Sequence, residues 1–125
     1  MIDFKNINLE YKNLDVWIEA RKLTKLVYDS TKNYPKEEIF GLTNQMRRCA
    51  VSVPSNIAEG CGRNTSKQTI HFLFIARGSL FELETQFYLS LDLEYINDEK
   101  LATISNQMTV CKKLLNGFIN YYRTK

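Results

Sequence analysis

The residues of this chain best suited to covalent or metal chemistry are three cysteines, Cys49, Cys61 and Cys111, and one histidine, His71. A thiol nucleophile needs a base within reach to make the thiolate. Cys61 stands near Arg63, but no partnered base is present locally, and His71 could supply one only from ten residues away. Zinc sites ask for Cys or His at short, paired spacings, and the three cysteines form no Cys-x-x-Cys pair. A di-metal carboxylate bundle asks for two Glu-x-x-His motifs, and the chain has none. Gly60-Cys61-Gly62 lacks the third glycine and the preceding strand of a dinucleotide fingerprint, so it reads as a helix-ending turn. The expectation is a noncatalytic protein with no catalytic residue, cofactor or metal ligand.

Binding chemistry is better supplied. The segment 45–63 mixes small residues (Ala50, Ser52, Ser55, Ala58, Gly60) with polar Arg48, Asn56 and Glu59 around Pro54. Proline in a helix interior removes a hydrogen bond and crowds the preceding turn, so a kink is expected there. Buried polar groups must be paired. If Arg48, Asn56, Glu59, Glu82 and Gln86 face inward or towards another subunit, they form a structural polar network, with Arg48 to Glu82 or Glu84 as its first pair. The other reading places each of these residues on a solvated face.

The elements that carry these residues are helices. Val16, Ala20, Leu23 and Val27 recur at the amphipathic-helix period over about 14–33, with Asn13 or Asp15 as cap. Tyr34-Pro35 ends that segment, and a second helix is expected over about 36–62, its stripe running from Ile39 through Leu42, Met46, Cys49, Val53 and Ile57. Thr65-Ser66-Lys67-Gln68 has the capping-box form and opens a third helix to about 94. Asn97-Asp98 caps a fourth, to about 123, carrying Leu101, Ile104, Met108, Cys111, Leu115 and Phe118. Short connections between long helices favour antiparallel neighbours. The predicted fold is all-α: a single domain over residues 1–125, an antiparallel up-down-up-down four-helix bundle.

Bulk properties agree. A chain of 125 residues that is 44% hydrophobic and 25% charged can bury one core without staples. Unpaired cysteines and the absence of an apolar leader or spanning stretch predict a soluble, cytoplasmic protein with no membrane partner. The third helix is unusual, because Phe74, Phe81 and Tyr88 are offset from its Leu80-Leu83-Phe87 stripe. A monomeric bundle needs one apolar face per helix, so a second face suggests that another subunit packs there. Exposed rings around a large aromatic core are the alternative.

The net charge of +3 is modest, but the predicted topology polarises it. One pole, at the junctions of helices one and two and of helices three and four, gathers seven acidic residues against three lysines. The other gathers eight basic residues, Arg63, Lys67, Lys112, Lys113, Arg123, Lys5, Lys12 and Lys125, against four acidic ones. Arg63, Lys67, Lys112, Lys113 and Arg123 are the candidate contacts to RNA or DNA, since a basic face attracts phosphate backbones without reading sequence. Tyr121 and Tyr122 could stack on bases or serve as core. Lysines that only solubilise the bundle are the competing reading.

Three ordered motifs carry a family resemblance. Gln45-x-Arg47-Arg48-x-Ala50-x-Ser52-x-Pro54-x-Asn56-Ile57-Ala58-Glu59-Gly60 resembles the central motif of the 23S rRNA intervening-sequence proteins. Leu14-Asp15-Val16-Trp17 and Gly78-Ser79-Leu80-x-Glu82-Leu83-Glu84-Thr85-Gln86 are similar to flanking motifs of the same family, and together the three cover about residues 11–123. The resemblance implies an antiparallel bundle assembled with itself as a homopentameric ring. It extends to the accessory protein of diversity-generating retroelements, which implies a reverse transcriptase as a possible partner and an adaptor role. Those accessory proteins are typically far more basic than this chain.

Overall fold

The computed structural model describes residues 10–124. Four helices follow in order: α1 (Asp15–Thr31), α2 (Leu42–Cys61), α3 (Ser66–Asp92) and α4 (Asp98–Arg123). Short 3-10 turns at Glu10–Asn13 and Lys36–Glu38 precede α1 and α2. No strand occurs among the described residues.

Hydrogen bonds between helices give their directions. Thr24 and Thr31 of α1 meet Ala50 and Arg47 of α2. Cys49, Ser52 and Gly60 of α2 meet Glu82, Ser79 and Thr69 of α3. Arg77 and Glu84 of α3 meet Asn116 and Lys112 of α4. In each pair the numbers rise on one helix and fall on the other, so consecutive helices are antiparallel. Gln107 of α4 reaches the Glu19 carbonyl of α1 at 3.0 Å, closing the four-helix bundle.

The helical stripes meet in one core. Ala20, Leu23, Val27, Met46, Ala50, Ile57, Leu73, Ala76, Leu80, Leu83, Phe87, Ile104, Met108 and Leu115 are all fully buried. Each large side chain among them contributes about 1.5–3 kcal/mol on leaving water.

The helix starts follow local chemistry. Thr65 Oγ1 accepts from the Gln68 N–H at 3.2 Å, and Asn97 Oδ1 from the Lys100 N–H at 2.8 Å. At α1 neither Asn13 nor Asp15 caps. Leu14 holds the cap position in extended backbone with no side-chain bond, and Tyr11 packs edge-on against Trp17 at 5.2 Å. The second helix begins at Leu42, six residues later than the expected start at 36, because the chain leaves helical geometry at Gly41 (φ −114°, ψ −118°). Ile39, expected in the core stripe, is therefore 52% exposed, and Phe40 is 93% exposed.

No helix among the described residues is long and apolar enough to cross a membrane.

Candidate interaction surfaces

The seam between α2 and α3 holds part of the predicted polar network, in different pairs. Asn56 Nδ2 donates to the Ser52 carbonyl at 2.8 Å and to Ser52 Oγ at 2.9 Å, and Ser52 Oγ lies 2.8 Å from Ser79 Oγ. The Cys49 thiol donates to the Glu82 carboxylate. Gln86, buried beside Cys49, leaves its Oε1 without a hydrogen-bond partner. Glu59 lies apart, in an exposed ion pair with Arg63 at 3.0 Å. Arg48 does not join Glu82 or Glu84 within the subunit. It is exposed on the outer face of α2 and makes no ion pair or hydrogen bond among the described residues. Glu84 instead holds Lys112 at 2.6 Å.

Small residues let this seam close. A Cβ on buried Gly60 would lie 3.1 Å from the Thr69 carbonyl oxygen and 3.3 Å from the Phe72 Cβ. Thr69 Oγ1 donates to the Gly60 carbonyl at 2.8 Å, fastening the start of α3 to the end of α2.

The candidate phosphate-binding residues separate into two groups. Arg63 at the α2–α3 turn, Lys67 in the first turn of α3 and Arg123 in the last turn of α4 share one end of the bundle. Arg63 also covers the Phe72 ring at 4.5 Å, and Arg123 shares the Phe74 ring with Arg77, at 5.3 and 4.7 Å. Lys67 is exposed and unpaired among the described residues. Lys112 lies away from this end: half-buried between α4 and α3, it is neutralised by Glu84 and packs 4.9 Å from the Phe81 ring centre. Lys113, its exposed neighbour, borders an apolar groove of about 530 Å³ lined by Leu14, Val16, Cys61, Leu114 and Phe118. Lys5 and Lys125 lie outside the described residues. Arg77 adds a further cation beside Arg123, and its i+3 spacing from Phe74 is the signal for it in the sequence.

Besides that groove, two further apolar surfaces stand uncovered among the described residues. On α3, Phe81 and Tyr88 are each 52% exposed, and Leu89 and Ile75 of the same helix are exposed as well. Over α2, Tyr28, Ile39, Phe40 and Val51 surround a groove of about 760 Å³ that also takes in Arg47 and Arg48. Arg47 is occupied within the subunit, donating to Thr31 Oγ1 at 2.9 Å and covering the Tyr28 ring.

The thiols are held as thiols. Burial pushes Cys61 up to about 11. Burial first, then the Glu82 carboxylate, pushes Cys49 up to about 12, and burial does the same for Cys111. His71 is exposed, edge-on to Phe72 at 5.3 Å, and makes no hydrogen bond to Cys61.

The fold and these surfaces define a small four-helix-bundle protein with a basic end and uncovered apolar surfaces. The chain belongs to the 23S rRNA-intervening sequence protein family, whose model matches residues 12–117. It is similar in structure to a crystal structure of a protein of unknown function from the S23 ribosomal protein family of Bacteroides thetaiotaomicron. The two are 26% identical with a TM-score of 0.74, over 83% of this chain and 97% of that one. No curated protein matches the chain.

Proposed function

We propose that this protein is a noncatalytic cytoplasmic scaffold that assembles with itself, as a pentameric ring, and holds the backbone of RNA or DNA on its basic end. The observation that carries the reading is the outer face of α3. Phe81, Tyr88, Leu89 and Ile75 lie exposed along a helix whose opposite side already fills the core. Large apolar side chains exposed in this number on one helix of a small domain point to an interaction site. In a ring of parallel copies the ends bearing Arg63, Lys67 and Arg123 would form one face, multiplying a modest charge. Phosphate contacts of this kind are salt-sensitive and independent of sequence. The family name supports an association with rRNA intervening sequences.

Light scattering at micromolar concentration tests the assembly, and a monomeric mass would refute it. Binding of a single-stranded RNA and a DNA duplex, followed across salt concentration, tests the second part. Reversal of Arg63, Lys67 and Arg123 to Glu is expected to abolish the salt-sensitive affinity, while unchanged affinity would exclude this end as the site. A protein adaptor, for example for a reverse transcriptase, is the second reading. It is favoured by the capture of Lys112 by Glu84, which takes one cation out of the basic set.

A further inference from the structure

The way copies would join can be read from two of the uncovered surfaces, and the inference rests on the self-assembly proposed above. We propose a head-to-tail contact in which the groove over α2 of one copy receives the outer face of α3 of the next. Arg48 of the first copy then pairs with Glu82 of the second.

Charge is the first argument. Arg48 is exposed and has no partner among the described residues of its own subunit. Glu82 is also exposed, and its bonded partner is a neutral thiol, that of Cys49. The groove therefore carries two cations, Arg47 and Arg48, that meet no carboxylate among the described residues, and the α3 face carries Glu82, which meets no cation, so the two surfaces are opposite in sign. Complementary charges of this kind set register and exclude wrong pairings.

Height along the bundle is the second. The α2–α3 bonds from Cys49 to Glu82 and from Ser52 to Ser79 place Arg48 level with Glu82. The bond from Tyr95 to Glu38 places the segment just before α2 level with the end of α3. Copies related by rotation about an axis parallel to the helices keep these heights. Arg48 then meets Glu82, and Phe40, which is 93% exposed, reaches the level of Leu89 and Tyr88. An exposed aromatic anchor facing an apolar strip is the usual core of an interface.

Closure is the third. In a square bundle α2 and α3 occupy adjacent corners, so their outward directions differ by about 90°. A contact between two different surfaces generates a ring when its rotation closes and a filament when it does not. In a closed ring the two contact directions differ by about 90° for four copies and about 108° for five, so the pentamer needs the two faces splayed about 18° beyond the right angle.

Native mass measurement on charge-reversed variants tests the contact. R48E alone and E82R alone are expected to raise the dissociation constant at least tenfold, and the combined R48E/E82R chain is expected to recover wild-type assembly. Phe40→Ser, at a site too exposed to matter for folding, should weaken assembly as well, and far-ultraviolet circular dichroism checks that each variant keeps its helices. An oligomeric wild type with unaffected single variants, or single losses that the double variant does not repair, overturns the Arg48–Glu82 contact while leaving the scaffold reading in place. A monomeric wild type overturns both.

Discussion

Thr24 Oγ1 lies 3.0 Å from the carbonyl oxygen of Ala50, on the neighbouring helix. Ala50 stands four residues before Pro54, so its carbonyl is the one the proline deprives of a helical N–H donor. A hydroxyl from α1 supplies the missing donor. The same Thr24 hydroxyl is 3.0 Å from the Ala20 carbonyl of its own helix, so one proton serves two acceptors. The proline that interrupts α2 is thereby tied to the packing of α1 against it, and Ala50, fully buried, leaves room for the approach.

Thr24→Val keeps the shape and removes the donor. Leaving a buried carbonyl unsatisfied costs about 1–3 kcal/mol, so urea denaturation is expected to show a loss of that size. Pro54→Ala restores an N–H to the Ala50 carbonyl. In that background Thr24→Val should cost markedly less, a coupling that a double-mutant cycle measures.

Glu38 joins the two connections at the acidic end. Its carboxylate accepts from the Tyr95 hydroxyl at 2.8 Å and from the Leu42 N–H at 3.1 Å, capping α2 from outside the helix. The Tyr95 bond, then the Leu42 bond, hold the Glu38 carboxyl below the ordinary carboxylate range. A depressed carboxyl contributes stability that is present above its unfolded value, about 4.3, and is lost as pH falls through the folded value. Melting temperatures from pH 3 to 7 should therefore fall less steeply on the acid side for Glu38→Gln than for the wild type, from a lower neutral value. Tyr95 shifts the other way, raised chiefly by the Glu38 bond, so its share of stability is present at neutral pH and is lost as pH rises through its folded value. Tyr95→Phe should remove that alkaline loss.

Gly60 and Gly117 are expected to respond oppositely to alanine. At Gly60 the new methyl meets the Thr69 carbonyl at 3.1 Å, a backbone atom that cannot swing away. Overpacking there should destabilise the bundle by about 1–2 kcal/mol despite the helix preference of alanine. At Gly117 nothing lies within 4 Å, and Gly117→Ala should stabilise by about 0.5–1 kcal/mol. Thermal unfolding of the two variants checks both signs.

All three thiols should react slowly in the native protein. With Cys61 pushed to about 11 and Cys49 and Cys111 to about 12, the thiolate fraction near pH 8 falls at least about a hundredfold below that of a free cysteine, whose pKa is near 8.5. A thiol-specific disulfide reagent should titrate them only on unfolding. Rapid reaction of Cys61 in the folded state would revive it as a candidate nucleophile.

Much of the fold was legible in the chain, because helical periodicity and end signals are local. The spacing of Ala76, Leu80, Leu83 and Phe87 marks one buried stripe whatever lies opposite, although Leu73 rather than Phe72 and Ile75 continues it into the core, and Thr65 and Asn97 sit where their own helices need an acceptor. The start of α2 at Leu42 rather than Lys36 has a local reason with a distant partner. Lys36, Glu37 and Glu38 suit a helix start, but the Glu38 carboxylate is drawn across Gly41 to Leu42 and Tyr95, which leaves Ile39 and Phe40 outside.

The sequence by itself determined four helices, their order and most of the stripe each would bury, Ile39 and Ile75 being the exceptions. Only the tertiary structure decided which polar groups meet. Arg48 and Glu82 are part of the same predicted network, yet Glu82 receives the Cys49 thiol while Arg48 faces outward. Lys112 and Lys113 are adjacent, yet one is captured by Glu84 and the other exposed. Successive helical residues point about 100° apart, and a partner across the seam is chosen by the rotation and height of two helices at once. Those two quantities come from packing the whole core, so no single stretch of the chain contains them.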